Sequence, residues 1–221
     1  MQYWCDQVGF PLICLPQLQL DVQLLPVTKV QFERFLAQLN DFGDNWYESV
    51  LAINPRTSWR RFTEHDRERL FITGILPNEA RTYAQWLGEG FDLPTVQEWR
   101  VIYQAVQRDP TFSVPLPELA DQLIRDGNKV AGQIVRRLLD QLKGPQLWLM
   151  DGGLVEWARD DSTGQFVGLG SPRHAFYPNA WNPIADTVRP LAAGQRLYYF
   201  GMRVVHKPSR AATADSSVAL W

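Results

Sequence analysis

Cysteine is scarce in this sequence. There are two in 221 residues, Cys5 and Cys14, and none follows. That excludes a disulfide-stapled scaffold, which needs many paired thiols for its size. Two thiols nine residues apart, with the first histidine only at His65, also lack zinc-motif spacing. Both read as small, packed side chains. Long apolar runs are missing as well. No stretch of about 18 apolar residues occurs, so no membrane-spanning helix is expected. The first residues, Met1 to Asp6, hold no basic cluster of the kind that opens a secretory signal, and the expectation is a cytoplasmic chain. Charge excess is absent too. A net charge of −2 provides no field to hold a polyanion, and nucleic acid is not an expected partner. The basic residues Arg136, Arg137, Arg203, His206, Lys207 and Arg210 read as solvated surface. Common catalytic signatures are lacking: no G-x-S-x-G, H-E-x-x-H, G-x-x-x-x-G-K-[ST] or G-x-G-x-x-G occurs. Ser171, His174 and Asp186 have the residue types of a hydrolytic triad, but no spacing that brings them together.

Aromatic residues are plentiful by contrast. Nine tryptophans in a chain that is 45% hydrophobic allow a large core of irregular elements joined by rings. The alternation over 18–25 predicts a strand. Thr28 then caps a helix whose apolar face is Val30, Phe32, Phe35 and Leu36. Residues 70–75 form a further short strand candidate. Pro77 opens a second helix, at a position where its missing N–H costs little. Thr95 and Glu98 have the spacing of a capping box ahead of a third helix, with Trp99, Ile102, Tyr103 and Val106 as its stripe. Residues 116–143 repeat apolar side chains at helical spacing, with a break at Gly127. Short strands are expected over 147–155, 166–167 and 198–205. The single domain runs over 1–206, and 207–221 reads as a flexible tail.

Five stretches, taken in order, resemble a known family. Pro26 to Phe35 (PVTKVQFERF) is similar to its E-V-T-x-x-x-Y/F-x-x-F entry. Residues 72–87 (ITGILPNEARTYAQWL) resemble its V-x-G-V-S-W-x-D-A-x-x-Y-x-x-W-L. Leu93 to Trp99 (LPTVQEW) resembles L-P-T-E-A-E-W, Met150 to Asp160 (MDGGLVEWARD) resembles M-x-G-N-V-W-E-W-x-x-D, and Gly201 to Val205 (GMRVV) resembles G-F-R-x-V. The family is that of the formylglycine-generating enzymes, or sulfatase-modifying factors. The resemblance implies an α+β, C-type-lectin-like fold of short antiparallel strands and a few helices, with 116–143 as a helical insertion. In the residues themselves, Glu156 is a carboxylate in an apolar run that needs a partner if buried, and Arg203 is the candidate.

The chain departs from the family where the chemistry is expected. Those enzymes place two cysteines late in the domain to bind copper and oxidise a substrate cysteine, because soft sulfur holds Cu(I); here that region has no cysteine. The family's calcium loop has Gly153 in place of asparagine. No cofactor is expected, and calcium is the one cation left open, at Glu156. The expectation is therefore a non-catalytic recognition module for a protein partner or a small ligand. Its candidate face is Arg173, His174, Tyr177, Trp181, Asn182, Arg189 and Tyr198, since aromatic and arginine side chains on a rigid scaffold favour binding. Two alternatives remain: a structural subunit using 116–143 as its contact, and an enzyme of altered chemistry in the same cleft.

Overall fold

The computed structural model describes residues 2–39, 70–108, 116–142, 148–150, 154–170, 182, 185–189 and 194–208. These form an α+β architecture with two small sheets and five helices. Strands β1 (Tyr3–Cys5), β2 (Pro11–Leu15) and β3 (Leu20–Gln23) make an antiparallel meander. Helix α1 (Lys29–Leu36) follows, then α2 (Pro77–Trp86), β4 (Phe91–Asp92), α3 (Val96–Arg108), α4 (Leu116–Arg125) and α5 (Lys129–Gln141). Strands β5 (Val155–Arg159), β6 (Phe166–Leu169), β7 (Phe200–Gly201) and β8 (Val205–His206) complete the described elements. The larger sheet has the order β1-β2-β3-β8-β4, and the smaller one β6-β5-β7. All pairings are antiparallel except β5 with β7.

The helices begin where the sequence indicates. The Thr28 hydroxyl accepts the Gln31 N–H, and the Gln31 side chain accepts the Thr28 N–H in return, at 2.8 Å. Thr95 and Glu98 exchange the same reciprocal bonds at the start of α3. Each box satisfies two N–H groups that the helix itself leaves open. Gly127, at φ +90°, turns α4 into α5. Those two helices pack closely because Gly132 has no Cβ: one would sit 2.6 Å from Ile124 Cγ1 and 2.7 Å from the Ala120 carbonyl. Their apolar stripes, Leu119, Leu123, Ile134, Val135 and Leu138, are buried in the common core, which extends from Val8 to Val205.

Several expected strands differ in detail. The alternation over 18–25 is split: Pro16–Leu18 is a 3₁₀ turn, Gln19 takes a left-handed φ of 52°, and the strand proper is Leu20–Gln23. Proline lacks the N–H that a ladder needs, and the turn absorbs Leu18. Residues 70–75 form no strand. Phe71 makes an isolated bridge with Thr28, while Ile72 N–H reaches the Val27 carbonyl and Gly74 N–H the Phe200 carbonyl. Successive residues thus bond to different partners, so no ladder builds. In the 147–155 candidate, Trp148 to Met150 are not extended and the strand starts at Val155. The 198–205 candidate divides into β7 and β8, which belong to different sheets. Of the expected tail, 209–221 lies outside the described residues.

Candidate functional site

Arg203 is not at the solvated surface expected of the basic residues: it sits just before β8 with its guanidinium wholly buried, facing the equally buried Glu156 of β5. Nε donates to Glu156 Oε2 at 3.1 Å and Nη2 to Oε1 at 2.8 Å. Nη1 donates to the carbonyls of Gln23 and Leu24, at 2.8 and 2.6 Å, and Nη2 also to the Trp148 carbonyl. All five donors of the planar fork are therefore engaged. The Trp99 indole N–H adds a bond to Glu156 Oε2 at 2.9 Å. One ion pair thus joins the chain following β3, helix α3, Trp148 and both sheets. Beside it Leu149 is held at a left-handed φ of 56°, a conformation that costs a branched residue about 1–2 kcal/mol. Trp157, next in β5, donates to the Ile75 carbonyl at 2.9 Å and packs on Phe200 with centroids 4.4 Å apart.

The same geometry bears on Glu156 as a calcium candidate. Both carboxylate oxygens face the guanidinium or the indole N–H, and a cation placed there would meet Arg203 at contact distance. The two thiols are placed by the register of the β1–β2 hairpin. Cys5 shares a face with Pro11 and Ile13, since Cys5 opposes Pro11 and Tyr3 opposes Ile13; Cys14, one residue on from Ile13, lies on the opposite face. Cys5 accepts a bond from Asn128 Nδ2 at 3.4 Å. Burial, with Asp6 and Asp126 nearby, pushes its thiol up to about 11. Burial and the Asp21 carboxylate push Cys14 up to about 11 as well. Two protonated thiols on opposite faces of a hairpin do not fit a Cu(I) pair, which needs convergent thiolates. Among the described residues no cluster of three or more His, Cys, Asp or Glu side chains could hold a metal.

Of the expected recognition face, Arg173, His174, Tyr177 and Trp181 lie outside the described residues. Asn182 and Arg189 are exposed, and Arg189 follows Val188, which bridges Gly168 at the edge of β6. The Asn182 backbone N–H donates to Asp186 Oδ2 at 2.7 Å, and Arg189 lies 3.8 Å from Asp160 Oδ2. Tyr198 precedes β7, which is the other edge of the same three-stranded sheet. It is 46% exposed, the one exposed large hydrophobic side chain among the described residues. A ring series runs inward from it through Tyr199 and Phe200 to Trp157, with centroids 5.2, 5.2 and 4.4 Å apart.

A second arrangement was not visible in the sequence. Asp21, in the central strand β3, accepts from Trp4 Nε1 at 3.0 Å and lies 3.2 Å from His206 Nδ1. Phe91 and Trp4 pack on the His206 ring at 4.9 and 5.1 Å. The residue types of a cysteine–histidine–aspartate centre are adjacent here, but Asp21, not His206, stands between the other two: it opposes Cys14 on one side and His206 on the other. A nucleophile needs the base beside it, so this order does not activate Cys14. The signal that could have revealed the pairing is strand register, which a single sequence does not carry.

Residues 17–120, somewhat under half the chain, match the family model described as the sulfatase-modifying factor enzyme 1-like domain. No curated protein matches the chain.

Proposed function

From the premise that residues 17–120 make this chain a carrier of a sulfatase-modifying factor enzyme 1-like domain, we propose that it is a non-catalytic recognition module on a C-type-lectin-like scaffold. The observation that carries this reading is where the family-like residues have gone. Trp99, Glu156 and Arg203 are wholly engaged in one buried mesh, and the only two thiols point to opposite faces of the β1–β2 hairpin in protonated form. The mesh stabilises a scaffold, and neither thiol supplies a soft ligand pair. What stands at the surface is Tyr198, the outer end of an aromatic series rooted in the core. A rigidly seated tyrosine offers contact area at little cost in rotamer entropy, which suits recognition of a protein partner or a small ligand.

The reading that assigns the contact to 116–143 has less support. Helices α4 and α5 turn their apolar stripes into the core and leave charged side chains such as Glu118, Asp121, Arg125 and Arg136 outward.

Two measurements test the proposal. Titration of Cu(I) against a competing chromogenic chelator is expected to give no stoichiometric high-affinity site, with the wild type matching a Cys5→Ser/Cys14→Ser variant. A one-to-one site lost in that variant would restore the enzymatic reading. Quantitative pull-down from the native cell should retain a defined partner, and Tyr198→Ala should lower its recovery at least tenfold. Equal recovery by both proteins would count against Tyr198 as a contact.

A further inference from the structure

Arg196 is the one charged residue in the 194–199 segment that carries Tyr198. Its guanidinium leaves the segment and docks on the first turn of α2. Nη1 donates to Glu79 Oε2 at 2.8 Å and to the Gly74 carbonyl at 2.9 Å, and Nη2 donates to Glu79 Oε1 at 2.5 Å. Glu79 is itself locked: its Oε2 also accepts the Leu76 N–H at 2.7 Å, and its side chain is 4% exposed against 18% for Arg196. The Gly74 whose carbonyl Arg196 grips sends its own N–H to the Phe200 carbonyl, and Phe200 N–H turns back to the Leu197 carbonyl. The clamp therefore closes a small ring: Arg196 to Gly74, Gly74 to Phe200, Phe200 to Leu197. Tyr198 sits within that ring.

We infer that Arg196 is the positioning residue for Tyr198, fastening the 194–199 segment to α2 so that the exposed ring is presented in one place. The inference rests on the recognition reading above. A bidentate arginine–carboxylate pair fixes direction as well as distance, which a point-charged lysine does not. Without it the segment keeps the Leu197 and Tyr199 packing and the Tyr199 carbonyl bond to Val155 N–H, but loses the anchor of its one charged side chain. A binding ring on a loose segment loses affinity to the ordering it must undergo on contact.

The test uses the full chain and four variants, Arg196→Lys, Arg196→Gln, Arg196→Gln/Glu79→Gln and, as a control on the far helical pair, Arg136→Gln. The double variant removes the stranded Glu79 charge, so that loss of the clamp is read apart from loss of folding. Hydrogen exchange of the Phe200 and Gly74 amides is the first readout. It is expected to speed up at least tenfold in all three Arg196 variants, with Val155 and α3 unchanged, and to stay at the wild-type rate in Arg136→Gln. Recovery of the partner is the second, and should fall in Arg196→Lys although charge is retained. Wild-type exchange at Phe200 and Gly74 in the double variant would overturn the proposal. So would full partner recovery by Arg196→Lys when Tyr198→Ala has lost it. If Tyr198→Ala loses nothing, the recognition reading fails, and the exchange data still decide whether Arg196 orders the segment.

Discussion

Asp6 is a carboxylate that folding removes from water. Its Oδ1 accepts the N–H groups of Val8 and Phe10, at 3.0 and 2.9 Å, and its Oδ2 accepts Gln23 Nε2 at 3.0 Å. Burial is the largest influence and raises its pKa; the bonds from Phe10, Gln23 and Val8 and the charge of Arg34 oppose it incompletely. An acid raised on folding binds more protons folded than unfolded between the ordinary value, about 3.9, and the raised one. Its contribution is therefore most favourable below the ordinary value and falls as pH rises through that window. Asp6→Asn removes the dependence. Asparagine keeps the Oδ1 acceptor for Val8 and Phe10, and a flipped Gln23 amide can face it with the Oε1 that otherwise has no partner. The expected result is that the urea midpoint of the wild type falls relative to Asp6→Asn as pH rises from about 3.9, then runs parallel to it. A difference that stays constant with pH would show that Asp6 titrates normally.

At the scale of elements, the sharpest constraint is where the α4–α5 turn meets the β1–β2 turn. Gly9 has φ +81°, and a Cβ there would lie 2.5 Å from Asn128 Oδ1. Asn128 in turn bonds Cys5 in β1. The helical pair and the N-terminal hairpin are thus fitted to one another through a position only glycine fills. Gly9→Ala combines a left-handed strain of about 1–2 kcal/mol with a steric clash. Denaturant unfolding should show a loss above that figure, and adding Asn128→Ala should return only the steric part. Full recovery in the double variant would mean that the backbone conformation is not strained. Capping shows the opposite case, in which an element is readable from its own residues. Thr28 with Gln31 and Thr95 with Glu98 start α1 and α3 by contacts three residues apart, and that locality makes them legible.

For the whole molecule, the Glu156–Arg203 pair decides cooperativity. It connects Gln23 and Leu24, Trp99, Trp148 and both sheets, so its loss is felt by every part at once. Arg203→Met leaves Glu156 as a buried charge with only the Trp99 bond, and should cost about 3–5 kcal/mol. Arg203→Met/Glu156→Gln should recover a substantial part of this, because the stranded charge is gone. Tryptophan fluorescence and far-ultraviolet dichroism should shift together in both variants; separate transitions would mean that the two sheets unfold independently.

The sequence by itself determined the elements whose cause is local: the capped helices and the α4–α5 break at Gly127. It also carried the family likeness, of which the family model matches 17–120, and the need for a partner at Glu156, because an isolated carboxylate in an apolar run is costly. Tertiary structure decided what depends on register and on contacts across the chain. It divided 198–205 between two sheets, denied a ladder to 70–75, set Asp21 between Cys14 and His206, and faced Cys5 away from Cys14. It alone brought Arg196 to Glu79, 117 residues away. Strand pairing and long-range ion pairs join residues whose neighbours in sequence say nothing of one another. A single chain of letters records the chemistry of each partner and leaves their meeting to the fold.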